Sequence, residues 1–335
     1  MLKSLSLLVA CFLMGCVSSS DAFQQQASLG RGINLGNSLE APVEGAWGPK
    51  ITDEDLVRLK KAGFNSVRIP TRWSAHALKV APYTIDPAFM ARVDHVVQVA
   101  LAQGLVVVLN AHHYQEIDEA PAEHRERLAM MWHQIATHFA DFPESLQFEI
   151  YNEPNTQHTA EAWNLTLAAA LQEIRKTNPT RAVHIGGVEW NKIGTLKDLK
   201  LPPEDRHIIA QIHYYAPFHF THQNASWVKG STAWNGTKWD GTEADKEAVR
   251  RDFKAAADWS QKEQRPVFMG EFGTSAGVAD MDAGLLNPWT AFIASEAPRY
   301  HLTWAYWEYQ ANFGIWDPKA QQWREPLKAT LLGDN

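Results

Sequence analysis

Leu146-Gln147-Phe148-Glu149-Ile150-Tyr151-Asn152-Glu153-Pro154 is a short run with strand character that ends on a carboxylate and a proline. A glutamate at the end of a core strand is expensive to bury. Gly270-Glu271-Phe272-Gly273 repeats the arrangement behind the apolar run 266–269. A helical pattern over 160–176 follows the first string, so the unit reads strand, loop, helix.

The same unit recurs along the chain. Strands are expected at 32–35, 66–69, 105–110, 146–151, 182–186, 207–213, 266–269 and 302–307. Several are continuously apolar and rich in Val and Ile, as strands covered on both faces must be. Between them, Thr52-Asp53-Glu54-Asp55 reads as a helix N-cap with an acidic first turn, closing at Gly63. Residues 87–102 carry Phe89, Val93, Val96, Val97 and Ala100 on one face, and 123–139 follows the same logic. Strands that alternate with helices pair in parallel. Eight units in about 300 residues fit a single-domain α/β fold, the (β/α)8 TIM barrel. An open doubly wound sheet is the runner-up. It would place a Gly-rich phosphate loop after the first strand, and Gly30-Arg31-Gly32 precedes that strand instead.

Residues 1–20 read as an export signal with a lipobox and a short tether, and 21–335 as the catalytic domain. Lys3 supplies the positive start, and 5–14 form an apolar segment too short to span a bilayer. Leu13-Met14-Gly15-Cys16 resembles the bacterial lipobox, which makes Cys16 the expected site of lipidation, with Ser18, Ser19 and Ser20 as tether. The membrane is thus met through a lipid anchor alone, at the outer membrane or cell surface, and otherwise the chain is secreted. Of two cysteines, Cys11 lies in the signal, so residues 21–335 hold no thiol for a disulfide or a metal. The net charge of −7 is scattered and offers no basic run for nucleic acid. Fourteen tryptophans exceed what a core of this size requires and suit a cleft that stacks on pyranose rings. Three of them, Trp227, Trp234 and Trp239, fall in the long irregular stretch 217–242, which is expected to wall that cleft.

In a (β/α)8 barrel the active site gathers at the carboxyl ends of the strands. The polar groups of this chain collect there: Asn34 and Asn37, Arg68, His112-His113-Tyr114, Asn152-Glu153, His213-Tyr214-Tyr215, Glu271, and Trp307-Glu308. Two glutamates facing one pocket are the equipment for cleaving a glycosidic bond.

This ordered set resembles glycoside hydrolase family 5, the cellulase family of retaining β-glycosidases. The resemblance rests on Gly32-Ile33-Asn34-Leu35-Gly36-Asn37, Val67-Arg68-Ile69-Pro70, Asn110-Ala111-His112-His113, Asn152-Glu153-Pro154, Ile212-His213-Tyr214-Tyr215, Gly270-Glu271-Phe272-Gly273 and Ala305-Tyr306-Trp307-Glu308. It implies that Glu153 is the general acid/base and Glu271 the nucleophile, held ionised by Arg68 and Tyr215. It further implies that Asn152 bonds the sugar 2-hydroxyl, that His112, His113 and His213 orient sugar and acid, and that Trp307 is a stacking platform. Asn37, Glu40, Trp190, His222 and Trp227 are expected to line further substrate subsites. The implied activity is an endo-β-1,4-glucanase acting on soluble or amorphous β-glucan, with a mannanase, a glucomannanase or a dual-specificity glycanase as alternative. A glycan-binding lipoprotein without catalysis is the remote one. The chain is expected to work as a monomer, without cofactor or metal. Adjacent His112 and His113 would face opposite sides of an extended strand, which speaks against a shared ion.

Overall fold

A computed structural model describes residues 21–275 and 288–333. Cys16 and the expected signal lie outside them. Eight parallel strands close into a barrel in chain order: β1 (Arg31–Asn34), β2 (Ser66–Ile69), β3 (Val106–Asn110), β4 (Leu146–Glu149), β5 (Val183–Gly186), β6 (Ile208–Tyr214), β7 (Val267–Phe272) and β8 (Thr303–Tyr306), with β8 returning to β1. The expected strands all form. The largest boundary difference is β7, which runs on to Phe272 rather than 269 and so carries Glu271 within the strand, while β4 stops at Glu149 rather than 151, so Ile150 to Glu153 belong to the loop that turns toward the cleft.

Helices wrap the barrel as the pattern requires. Asp53–Ala62 opens on a reciprocal capping box, Thr52 with Asp55, and closes on Gly63 at φ 107°, a conformation open to glycine at little cost. Pro87–Ala102, Pro121–His138, Ala160–Arg175 and Glu243–Glu263 turn one apolar face inward. Val93, Val97, Leu128, Trp132, Leu167 and Phe253 join the strands in one continuous core. Each such side chain contributes roughly 1.5–3 kcal/mol through burial.

The alternation breaks after β5. A full helix there is replaced by the turn Val188–Asn191 and a 3-10 segment, Ile193–Asp198. Glu189, Trp190 and Asn191 all take positive φ, so the chain cannot wind as a right-handed helix.

Several elements were not expected from the sequence, the hairpin of Trp316–Asp317 with Gln322–Trp323 and the helix Glu325–Leu332 among them, and one of them closes the barrel floor. Ala22–Leu29 is a helix beneath the barrel, where Ala22 and Leu29 pack with Val108, Ala182, Ile209, Phe268 and Ala305. Gln26 Nε2 donates to the Val267 and His301 carbonyls, which ties this floor to the sheet. Register then sets the chemistry at the other end. Asn34 lies opposite Arg68, Asn110 opposite Glu149, and a bulge at Ile212/His213 brings His213 level with Glu271.

Candidate active site

Arg68 is the hub. It points into the barrel, 1% exposed. Nε and Nη2 fork onto Glu149 at 2.6 and 2.7 Å, Nη1 donates to Glu271 Oε1 at 2.7 Å and Asn34 Oδ1 at 2.8 Å, and Nη2 also reaches Asn152 Oδ1 at 2.7 Å. The planar donor fork matches this arrangement in a way a lysine could not. Oδ1 of Asn152 is thus held by Arg68, and the Asn152 side chain also hydrogen-bonds Glu153.

The two glutamates expected from the sequence meet here. Glu153 (φ 50°), Glu271 and His213 bring side-chain atoms within 4.8 Å of one another. His213 Nδ1 lies 2.6 Å from Glu153 Oε1 and 3.6 Å from Glu271 Oε2. The Tyr215 hydroxyl donates to Glu271 Oε2 at 2.8 Å. Glu271 thus receives Arg68 on one oxygen and Tyr215 on the other, the contacts expected of a carboxylate that must stay ionised.

Burial raises both carboxyls. It carries Glu153 to about 8, with Arg68 pulling down and Glu149 and Asp118 pushing up. Burial also raises Glu271, with Glu153 adding to the rise and Arg68 and the Tyr215 hydrogen bond drawing it down. Two neighbouring carboxyls held in unlike surroundings can divide proton donation from nucleophilic attack. Burial lowers His213 to about 4, so the ring is neutral. Its Nε2 faces the amide nitrogens of Asn191 and Gln211, each at 3.2 Å, while Asn191 Oδ1 and Gln211 Oε1 are buried without a partner. A half-turn of one amide satisfies its oxygen with an Nε2–H and leaves Nδ1 to accept the Glu153 proton. The convergence of Glu153, His213 and Glu271 could in principle hold a cation, but Arg68 and Tyr215 already occupy the Glu271 oxygens.

The remaining expected residues divide by position. Trp307 is half-buried, and His112 stacks nearly parallel to it at 5.8 Å. Gly36 makes room for that ring, since a Cβ there would sit 2.9 Å from two of its atoms. His112 Nδ1 contacts the Asn110 amide at 3.0 Å. His112 and His113 do not splay apart as an extended strand would dictate. They lie beyond β3, His113 takes φ 46°, and the rings meet edge-on at 4.6 Å. His113 lines a cleft of about 480 Å³ beside Glu153 with Trp47, Arg72, Asp118, Asn152, Asn155 and Trp190. Trp190 is exposed at its mouth, turned out by the strained loop after β5. Asn37 takes φ 61° at a turn after β1, and Glu40 is buried with its carboxylate accepting from the Asn37 and Ser38 backbone N–H groups, so it shapes the turn that presents Asn37. Beyond β6, His222 stacks on Phe218 at 4.1 Å and meets Tyr215 edge-on, and exposed Trp227 packs on Phe313. Of the three tryptophans expected to wall the cleft, Trp239 is instead buried against Phe292 and Trp234 stacks on His219.

Four participants escaped the sequence reading: Glu149, Asp118, Trp47 and Phe313. Glu149 carried a signal, being the one charge in the strand-like run 146–151. Asp118 carried none, sitting in a short helix where acids are ordinary. It accepts from Tyr151 at 2.7 Å and meets His158 at 3.1 Å, which braces the loop bearing Glu153.

A closed barrel with two buried carboxyls meeting at the carboxyl ends of β4 and β7 is the architecture of a glycoside hydrolase. The model of the cellulase family, glycosyl hydrolase family 5, matches residues 28–313, and the chain belongs to that family. It is 40% identical over 288 residues to Endoglucanase H of Acetivibrio thermocellus, covering 86% of this chain and 30% of that protein. Cellulase/esterase CelE of the same organism is 30% identical, over 82% of this chain and 38% of that protein. The chain therefore spans about a third of the length of these two relatives. Among solved structures, Thermotoga maritima Cel5A in complex with mannotriose is 43% identical with a TM-score of 0.90, covering 93% of this chain and 100% of that one. The same protein has been solved with cellobiose, at a TM-score of 0.89 and the same coverage.

Proposed function

We propose that this chain is a retaining endo-β-1,4-glucanase that cuts internal bonds of soluble or amorphous β-glucan by double displacement. The observation that carries this reading is the separation of the carboxyls. Oxygens of Glu153 and Glu271 lie within 4.8 Å, whereas an inverting pair stands roughly 6.5–9.5 Å apart to admit a water behind the sugar.

Glu271 attacks the anomeric carbon while Glu153 gives its proton to the departing glycosidic oxygen. The glycosyl ester on Glu271 is then opened by a water whose proton returns to Glu153, restoring both groups. Asn152 donates to the 2-hydroxyl, Trp307 carries the sugar at the cleavage position, and His112 and His113 orient it. Trp190 on one side and Trp227 on the other extend the cleft along the polymer, with Asn37 and His222 beside them. Glu40 serves by holding the Asn37 turn.

The names of the two curated relatives support glucan as the first substrate. The mannotriose complex of Cel5A supports tolerance of mannan or glucomannan by the same cleft. Release of reducing ends from carboxymethylcellulose, barley β-glucan and glucomannan, with Glu271→Gln as control, tests the reading. Turnover by the wild type alone is expected, unchanged by a chelator. Inactivity of a folded wild type on all three would favour the glycan-binding alternative.

We also propose that Cys16 is lipidated and tethers an exported, monomeric enzyme to a membrane. Among the described residues, no helix is long and apolar enough to cross one. Cys16→Ala should move the protein from the membrane to the soluble fraction, and an unchanged distribution would refute the anchor.

A further inference from the structure

Glu149 has no part in the reaction as proposed, yet it is completely buried, stands four residues before Glu153, and lies in register with Asn110. Both its oxygens are spent on the Arg68 fork, and Oε1 also accepts from Asn110 Nδ2 at 3.2 Å. A buried carboxylate this well paired is costly to keep unless the pairing does something for its neighbours.

We infer that Glu149 is a positioning residue for catalysis: its grip on Arg68 aims the guanidinium edge at Glu271, and its charge offsets Arg68 so that Glu153 keeps its proton. The inference rests on the reading of Glu153 as the acid. The geometry supports it in two ways. Arg68 has its Nε and Nη2 edges on Glu149, which leaves Nη1 fixed in plane toward Glu271 and Asn34. Charge accounting gives the second. Arg68 balances ionised Glu271, so Glu149 leaves one net negative charge beside Glu153, and a second carboxylate there is opposed.

The charged and titratable groups around this pair come from every side. Arg68 comes from β2, Asp118 from the helix Gln115–Glu119, His184 from β5, His213 and Tyr215 from β6 and its end, and Glu271 from β7. His184 and His213 are both driven neutral by burial, to about 3 and about 4. Neither can replace the lost balance. Burial is the largest influence on Glu153; Arg68 opposes it, and Glu149 and Asp118 reinforce it.

The test is the pH dependence of kcat/KM for Glu149→Gln and Glu149→Asp on barley β-glucan, with folding followed by near-ultraviolet circular dichroism. The glutamine variant removes charge and keeps length. Its alkaline limb should fall by about one pH unit, the size of effect a single close charge produces, and kcat should fall about 10- to 100-fold with KM nearly unchanged, as for lost transition-state alignment. The aspartate variant keeps the charge and shortens the fork, so it should lose activity with its alkaline limb in the wild-type place. A folded Glu149→Gln with the wild-type limb would overturn the inference. If that variant does not fold, Glu149→Asp decides alone: a fall in kcat with KM and the limb unmoved supports the inference, and wild-type kcat or a limb shifted down overturns it. Failure of the underlying reading would look different, because Glu153→Gln would then keep wild-type turnover of β-glucan.

Discussion

Glu153→Gln keeps the shape of the side chain and removes its transferable proton. With Glu153 raised to about 8 by burial, roughly 99% of the wild type carries that proton at pH 6. A departing glucan hydroxyl is a poor leaving group and needs it. General acid catalysis contributes about 10²–10⁴-fold, so a central expectation is a loss of about 10³ in kcat/KM on barley β-glucan, or roughly 4 kcal/mol of barrier. From 2,4-dinitrophenyl cellobioside, 2,4-dinitrophenolate departs as a stable anion without a proton. On that substrate kcat/KM should fall less than about tenfold, because it reports the first displacement alone. The second displacement still lacks its base, so the glycosyl-Glu271 ester should accumulate. The variant should show a rapid burst of dinitrophenol followed by slow turnover, read by stopped-flow absorbance. Equal losses on the two substrates, or no burst, would refute the acid/base role of Glu153.

The wild-type kcat/KM profile should be bell-shaped, with an alkaline limb near the Glu153 value of about 8 and an acid limb above the ordinary carboxylate range, where burial has raised Glu271; a profile flat from pH 4 to 9 would contradict both assignments. Gly36→Ala should raise KM for cello-oligosaccharides by about tenfold while the fold persists, because the new Cβ would sit 2.9 Å from the Trp307 ring and must displace it; an unchanged KM would show that the ring has room to give. Burial pushes Glu40 to about 8, whereas its unfolded carboxyl ionises near 4.5. Over that interval the folded chain holds a proton that the unfolded chain has lost, so this group's stabilisation declines as pH rises. Between pH 7.5 and 8.5, where the unfolded histidines are about nine-tenths neutral or more, urea midpoints should fall, and the fall should be shallower in Glu40→Gln; parallel curves would remove Glu40 as the cause.

The barrel was legible because buried parallel strands and amphipathic helices have different periods, and this chain keeps both clean. The place of Glu153 and Glu271 was legible because a carboxylate that ends an apolar strand has few structural excuses. What was not legible depended on three dimensions. Nothing in the sequence pairs Glu149 with Arg68 across 81 positions; barrel closure and register do that. The nearness of His112 to His113 depended on a positive φ at His113, which frees the pair from strand alternation. Trp239 looked like a cleft residue because its stretch is irregular and aromatic, but its loop folds back on Phe292 and buries it. The floor helix Ala22–Leu29 was hidden by weak amphipathicity, since its burial comes from plugging a barrel rather than lying along one.

The central claim is retention through Glu271, and the anomer first released tests it most directly. Proton NMR of cellopentaose hydrolysis, recorded before mutarotation, should show the β-anomer appearing first and the α-anomer growing in later. An α-anomer formed first would mean a single displacement by water and would contradict the account.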